Sequence, residues 1–184
     1  TLANALLFHN SNLSNLDRAG IVHRLDKNTS GLMVVSKNAK SQKLLAEQLQ
    51  THSVQREYSA IVYGHMISGG TIHEAIGRDP RDRVKQAIIS NGKDALTHFR
   101  VIDRFKSHTH VKAILETGRT HQIRVHLSHI GHPLIGDSVY GGRAVSYTHL
   151  RAHETDSYLV CRLLLEKKFF CFCFLFRALL FLLL

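Results

Sequence analysis

The sequence predicts an α+β domain, in which helices flank a largely antiparallel mixed sheet. Three observations support this prediction. Apolar and polar residues alternate in strand-like segments through the middle of the chain, at 56–64 and 109–116. Asn91-Gly92 lies between two apolar segments, which is a strong hairpin signal. With 184 residues and a hydrophobic fraction of 44%, the chain is long enough to bury a core.

The amino-terminal part of the chain is predicted to contain two helices. Residues 2–8 form a short apolar opening helix, and a loop rich in Asn and Ser follows it. Residues 38–51 form an amphipathic helix, with Leu44, Leu45 and Leu49 on one side and charged residues on the other.

A third helix is predicted near the carboxyl end of the patterned region, at 120–130. Thr120 can cap its first turn, Gly131 can end it, and Pro133 follows shortly after. These boundary signals place the sequence around 117–124 at the start of a helix.

Further strands are predicted around the first helices and the Asn-Gly turn. An apolar strand at 20–26 runs into a polar turn, and a short buried strand follows at 32–35. The turn is expected to join strands at 86–90 and 95–102 into a hairpin.

The charge of the chain points to a polyanionic partner. Its formal net charge is +10, and residues 1–145 alone contain 19 basic and 11 acidic side chains. The basic character therefore belongs to the patterned region. Net charge alone does not distinguish RNA, DNA and an acidic membrane surface.

Asp26 is the first candidate catalytic residue. It lies where the apolar strand meets the polar turn, between Arg24 and Lys27. Neighbouring cations favour the ionised carboxylate, which could act as a nucleophile or a base. The alternative is a carboxylate that accepts hydrogen bonds from the backbone of its own turn. Spacing alone leaves both interpretations open.

A second candidate site surrounds the start of the third helix. Arg119, His121 and Arg124 lie around its first turn, where the helix dipole already presents positive charge. An anion near this helix start, either a carboxylate or an RNA phosphate, would offset the repulsion. The alternative is an exposed, solvated basic turn.

Tyr58 and Tyr63 are candidate aromatic contacts for a nucleotide base. They lie five residues apart on one predicted strand, so they face opposite sides of the sheet. One is expected in the core, and the other could stack on an unpaired base. Packing is the more frequent role of a tyrosine in a strand.

The histidines allow a metal-site interpretation that the pattern does not favour. His126 and His129 are spaced i, i+3 on the third helix, with His121 and His132 nearby. The His-Glu-x-x-His motif is absent, and no Cys, Asp or Glu falls at ligand spacing within the helix. We therefore predict no metal site.

Three segments together resemble the signatures of the RluA/RluD-type pseudouridine synthases. They are GIVHRLDKNTSGL at 20–32, GRTHQIRVH at 118–126, and GHPLIGD at 131–137 with Tyr140-Gly141. Arg56-Glu57-Tyr58 matches the position of the family's tyrosine motif, and the resemblance runs from Leu2 to about Val145. The segments GHM, GGT and THFR, at 64–66, 69–71 and 97–100, are most similar to the RluD branch, which modifies large-subunit ribosomal RNA.

The resemblance implies the pseudouridine synthase fold and a role for each matching residue. Asp26 corresponds to the catalytic nucleophile, Arg119 to the arginine that pairs with that carboxylate, and Tyr58 to the aromatic residue that stacks on the target uracil. Arg24 corresponds to the residue that takes the place of the flipped nucleotide, since a base inside a stacked helix must be extruded before reaction. The same signatures contribute the other predicted RNA-binding residues, namely His23, Lys27, His121 and Arg124.

The implied enzyme needs no cofactor or metal. Its expected partner is ribosomal RNA, and it is expected to be a cytoplasmic monomer without a membrane association. Two alternatives from other classes are a catalytically inactive RNA-binding fragment and a histidine-rich metallohydrolase.

Two departures from the family pattern divide the chain into 1–145 and 146–184. Full-length members usually begin with an S4-type RNA-binding domain and a first strand, so the catalytic domain at 1–145 is predicted to be truncated at its amino terminus. Residues 146–184 resemble nothing in the family and hold all three cysteines and six of the nine phenylalanines. We interpret them as artefactual read-through sequence. The alternative is a membrane anchor, although the apolar run at 169–184 is short for a bilayer span.

Overall fold

The computed structural model describes residues 1–141, which form two compact units, at 1–55 and 56–141. The predicted tail at 146–184 lies outside the described residues. The prediction of one catalytic domain over 1–145 stays a prediction. Within residues 1–141, no helix is both long and apolar enough to cross a membrane.

The first unit contains two α-helices joined by 3-10 turns and an extended loop. Helix α1 spans Leu2–His9, and its first turn is capped by the side chain of Thr1. Helix α2 spans Ala39–Gln50 and starts with a capping box between Asn38 and Ser41. Both predicted helices are confirmed.

The apolar face of α2 differs from the predicted one. Leu45 and Leu49 are half-buried, whereas the Leu44 side chain is 51% exposed. Successive residues of a helix are turned by about 100°, so Leu44 lies away from the face that Leu45 and Leu49 share. The placement of Leu44 on one side with Leu45 and Leu49 was wrong.

The two strands predicted at 20–26 and 32–35 reduce to one isolated antiparallel bridge, between Ile21 and Val35. A side chain interrupts the ladder at the next position, because Nε2 of His23 accepts the hydrogen bond from the Val34 amide. The segment between them contains a turn at 27–28 and forms no regular sheet.

The second unit contains six strands, which are β1 Arg56–Tyr63, β2 Gly70–His73, β3 Ile76–Arg78, β4 Gln86–Ile88, β5 Leu96–Arg104 and β6 His108–Leu115. Four of them form a sheet with the order β1-β6-β5-β2, and every pairing in it is antiparallel. Strands β3 and β4 form a separate antiparallel pair, and helix α3 spans Gln122–His129. The α+β prediction is confirmed.

The core of this unit lies on one face of the sheet, against α3. Side chains that alternate along the strands meet Leu127 of α3, whose side chain is fully buried. This alternation is the period-2 pattern that predicted the strands. The buried members of the cluster are Ala60, Val62, Met66, Ile72, Phe99, Val111 and Leu127.

The hairpin predicted across Asn91-Gly92 was wrong, because the strands before and after this turn do not pair with each other. A turn does form there, closed by the hydrogen bond from the Gly92 amide to the Ile89 carbonyl. However, β4 pairs with β3, and the chain after the turn places Lys93 against Ile76. A Cβ on Gly92 would lie 2.7 Å from the Ile76 carbonyl carbon, so this approach requires glycine.

The start of α3 also differs from the prediction. The residue at the N-cap position is His121, in the left-handed conformation (φ 57°), and no side chain caps the helix. Thr120 is therefore not the cap. The predicted end is confirmed, since the helix finishes at His129 and Gly131 has a φ of +82°.

Candidate active site

The loop that holds Asp26 is anchored at its base by Ser36. The Ser36 amide and hydroxyl both donate to the Gly20 carbonyl, at 2.9 Å each, and Ser36 is almost fully buried. Gly20 has a φ of +78°, and a Cβ there would lie 2.3 Å from the Ser36 carbonyl oxygen. No other residue fits this crossing without strain.

Asp26 is half-buried at the tip of this loop, and the flanking Arg24 and Lys27 are exposed. The Asp26 carbonyl accepts a hydrogen bond from the Thr29 amide at 2.9 Å, which closes a tight turn. This turn is therefore closed by a hydrogen bond to the main-chain carbonyl of Asp26 and not to its carboxylate. The two exposed cations favour contact with an anion, and the half-buried carboxylate between them can act as a nucleophile or a base.

Tyr58 lies on β1 opposite Ala113 of β6 and is half-buried. It has the same parity as the buried Ala60 and Val62, so it faces the core side of the sheet. Tyr63 faces the other side, with its ring centroid 5.3 Å from that of His108. The prediction that the two tyrosines face opposite sides is confirmed, but neither is fully buried.

Arg119 is held in the turn that precedes α3. Its amide donates to Oε1 of Gln122 at 2.9 Å, and its Nε donates to the Asp94 carbonyl at 2.9 Å. Asp26 belongs to the first unit and Arg119 and Tyr58 to the second, so the ion pair predicted between Asp26 and Arg119 stays a prediction.

Arg124 forms an internal ion pair with Asp137. Its Nε and Nη2 donate to the two carboxylate oxygens, at 2.8 and 2.9 Å, and the Asp137 side chain is only 5% exposed. Burial acts to raise the pKa of Asp137. The hydrogen bonds from Arg124 and from the amides of Val139 and Tyr140 outweigh burial and hold that pKa below its ordinary value.

Tyr140 connects this ion pair to the start of α3. Its hydroxyl accepts a hydrogen bond from the Gln86 amide and lies 2.8 Å from Nδ1 of His121. The Arg124 guanidinium lies over its ring, 4.9 Å from the centroid. These contacts give His121 and Arg124 structural partners, and their predicted RNA-binding roles stay predictions.

Three of the four histidines considered as metal ligands, His121, His126 and His132, have other contacts. The fully buried His126 lies between the Thr97 hydroxyl, at 2.9 Å, and the Glu74 carbonyl, at 3.1 Å. Nδ1 of His132 lies 2.8 Å from the Tyr63 carbonyl, and His129 is exposed. Within residues 1–141, no three His, Cys, Asp or Glu side chains converge as they would around a metal ion.

Comparison with known proteins identifies the family of this chain. A family model described as RNA pseudouridylate synthase matches residues 2–129. The chain belongs to this family. The matched range includes Asp26, Tyr58 and Arg119, so the resemblance proposed from the signatures is confirmed at the level of the RNA pseudouridylate synthase family.

Curated relatives support the RluD branch of this family. The chain is 59% identical over 143 residues to "Ribosomal large subunit pseudouridine synthase D" of Pseudomonas aeruginosa, covering 78% of this chain and 45% of that protein. It is 53% identical over 143 residues to the Escherichia coli K12 protein of the same name, covering 78% of this chain and 44% of the other. The chain thus spans less than half the length of these relatives.

Two solved human structures share the fold. "Human RNA Pseudouridylate Synthase Domain Containing 1" matches with a TM-score of 0.62 and 33% identity, over 66% of this chain and 54% of that one. "Human RNA Pseudouridylate Synthase Domain Containing 4" matches with a TM-score of 0.61 and 26% identity, over 76% of this chain and 60% of that one. These structures confirm the pseudouridine synthase fold expected from the sequence.

Several residues that shape the site carry no signal of chemistry in the sequence. Asp137 and Tyr140 fall within the third signature, but only the fold shows that they hold Arg124 and His121. Gln122 falls within the second signature, and its contact with Arg119 depends on its burial.

Proposed function

We propose that this chain converts specific uridines to pseudouridine in ribosomal RNA, most specifically in large-subunit RNA, with Asp26 as the nucleophile. Family membership together with the position of Asp26 carries the proposal. The half-buried carboxylate lies on an anchored loop between two exposed cations. The names of the curated relatives support the ribosomal substrate.

The proposed reaction is an isomerisation on one nucleotide. The bond from ribose C1′ to uracil N1 breaks, the base turns, and a bond from C1′ to C5 forms. The C5 proton is released, and N1 gains a proton. No electrons or atoms are added overall, so the reaction requires no cofactor. The target nucleotide must first leave the helical stack, because the glycosidic bond is hard to reach inside it.

The chain's own residues provide the groups that this reaction needs. The Asp26 carboxylate attacks ribose C1′ as uracil N1 leaves, and it is displaced again when C5 of the turned base bonds to C1′, while the sugar stays in the RNA strand. Arg119 balances that carboxylate, and Tyr58 stacks on the detached uracil. Arg24 fills the space that the flipped nucleotide leaves, and His23, Lys27, His121 and Arg124 contact the RNA around it. A ribosomal substrate supports a cytoplasmic enzyme, and we propose that it acts as a monomer.

Replacement of Asp26 tests the proposal in the complete protein that carries this sequence. Asp26→Asn keeps the size of the side chain but removes its charge and nucleophilic oxygen, so activity should fall below detection. RNA binding should survive, because phosphate contacts come from many other cations. The measurements are tritium release from RNA labelled at uridine C5 and RNA affinity at fixed salt.

Asp17→Asn is the matched control, because Asp17 is an exposed carboxylate of the same unit and pairs with Arg18. It should leave tritium release unchanged. Normal turnover by Asp26→Asn would refute the nucleophile assignment. RNA binding without any tritium release from the unsubstituted protein would instead favour an inactive RNA-binding protein.

A further inference from the structure

A hydrogen-bonded group of buried polar side chains lies beneath the Arg119 turn, and we call it the glutamine network. Six polar side chains are buried within residues 1–141, and four of them belong to this network. Apolar residues of the same shape would avoid the cost of burying these groups, so their arrangement points to a positional role. The members are Thr97, Thr117, Gln122 and His126.

The side-chain amide of Gln122 uses its full hydrogen-bonding capacity. Its Oε1 accepts from the Thr117 hydroxyl at 2.8 Å and from the Arg119 amide at 2.9 Å. Its Nε2 donates to the Leu96 carbonyl at 3.0 Å and to the Thr97 hydroxyl at 2.9 Å. The Arg119 amide can only donate and the Leu96 carbonyl can only accept, so the orientation of this amide group is determined.

The chain of hydrogen bonds continues from Gln122 through Thr97 to His126. Because Thr97 accepts from Gln122, its own hydroxyl proton is available for Nδ1 of His126. Nε2 of His126 then donates to the Glu74 carbonyl. This pattern needs a neutral His126, and burial of the ring lowers its pKa. Every member of the network therefore has a compatible partner.

The network connects the Arg119 turn to the first residues of β5. The Thr117 hydroxyl accepts from the Leu96 amide, while Gln122 donates to the Leu96 carbonyl. The Arg119 carbonyl accepts from the Gln122 amide at 3.2 Å, in addition to the Arg119 amide contact. Arg119 is thus held through its backbone at both ends and through its Nε at Asp94.

We propose that Gln122 is a positioning residue that places Arg119 for catalysis through the glutamine network. The inference rests on the proposed function, in which Arg119 balances the Asp26 carboxylate. Gln122 itself is only 2% exposed, so its side chain is shielded from a substrate. Its effect is therefore expected on the rate of the chemical step and not on RNA binding.

Gln122→Met tests this role in the complete protein that carries this sequence, because methionine has a similar size but cannot form the four hydrogen bonds. Misplacement of a catalytic group by about 1 Å can cost on the order of 100-fold in rate. We expect kcat for tritium release to fall by about that factor, with the KM for RNA unchanged within about two-fold. Circular dichroism at the assay temperature establishes that the variant is folded.

Gln122→Glu supplies a pH signature that a purely structural role would not give. The protonated carboxyl can still donate one hydrogen bond toward β5, whereas the ionised form would place a negative charge beside the Leu96 carbonyl. Burial raises the pKa of such a carboxyl. The ratio of the variant's kcat to that of the unsubstituted protein should therefore fall as pH rises. Gln48→Glu is the matched control, because Gln48 is exposed on α2, and its ratio should not change with pH.

Two conservative substitutions of Thr97 provide the test if the Gln122 variants do not fold. Thr97→Val keeps the shape of the side chain but removes the hydroxyl that links Gln122 to His126. Thr97→Ser keeps that hydroxyl. We expect Thr97→Val to lower kcat without changing the KM for RNA, and Thr97→Ser to restore it.

Three results would overturn the proposal. They are a folded Gln122→Met variant with kcat within two-fold of the unsubstituted protein, a pH-independent ratio for Gln122→Glu, and equal kcat values for Thr97→Val and Thr97→Ser. These outcomes differ from a failure of the proposed function, in which the unsubstituted protein itself releases no tritium.

Discussion

The ion pair between Arg124 and Asp137 should make a large contribution to stability. Asp137→Asn removes the negative charge but keeps an oxygen that can accept from the amides of Val139 and Tyr140. The new amide group would point a donor at the Arg124 guanidinium, which is already a donor. The substitution therefore isolates the charge interaction from the turn that Asp137 also stabilises.

The expected magnitude follows from the burial of the pair. Breaking a buried ion pair by removing one partner costs about 3–5 kcal/mol. Asp137 is 5% and Arg124 20% exposed, so some water reaches the guanidinium, and we expect about 3 kcal/mol of unfolding free energy to be lost. Asp17→Asn should cost less than about 1 kcal/mol, because Asp17 and Arg18 are 76% and 77% exposed.

The contribution of Asp137 should also depend on pH. Its pKa is lower in the folded protein than the ordinary value of 3.8. The stabilisation is therefore complete above the pKa of the unfolded chain, and it is lost as pH falls through the lower pKa of the folded state. The stability difference between the unsubstituted protein and Asp137→Asn should shrink correspondingly at acid pH.

Urea unfolding followed by circular dichroism measures both effects, at pH 7 and at a series of acid pH values. A double-mutant cycle with Arg124→Gln isolates the coupling between the two side chains. The reasoning would be refuted if Asp137→Asn cost no more than Asp17→Asn at pH 7. It would also be refuted if the difference between the unsubstituted protein and Asp137→Asn were the same at acid and neutral pH.

Two further predictions concern RNA binding and the loop anchor. Affinity for a large-subunit RNA stem-loop should fall steeply with salt, since neutralised phosphates release counterions, and a flat response in a filter-binding titration would contradict the proposed RNA footprint. Gly20→Ala should destabilise the protein by about 1–3 kcal/mol, because Gly20 has a positive φ and its new Cβ would collide with the Ser36 carbonyl. Unchanged unfolding in urea would show that this loop can relax around the methyl group.

Strand and helix content could be predicted from the sequence because it follows from local periodicity. The alternation over 109–116 predicted β6, and the leucine pattern over 38–51 predicted α2. Strand partners do not follow from local pattern. The Asn-Gly turn formed as expected, but β4 paired with β3, because contacts distant in sequence determine which strands become neighbours.

In the candidate site, too, some features could be predicted from the sequence and others depend on the tertiary structure. Asp26, Tyr58 and Arg119 could be identified because they fall in signatures whose spacing is visible in the chain. Gln122 and Asp137 lie in the same signatures, but nothing in their spacing shows that one holds the Arg119 amide and the other neutralises Arg124. Those roles depend on burial, which makes each unsatisfied polar group costly and so requires a matched partner.

The sequence by itself determined the family, the α+β class and the candidate catalytic residues, because these depend on residue identity, periodicity and spacing. The tertiary structure alone decided the strand order, the absence of a side-chain cap at His121 and the partners of the buried polar groups. Hydrogen bonds such as the one from Gln122 to Thr97 join residues far apart in the chain. Their geometry exists only once β5 and α3 have packed together.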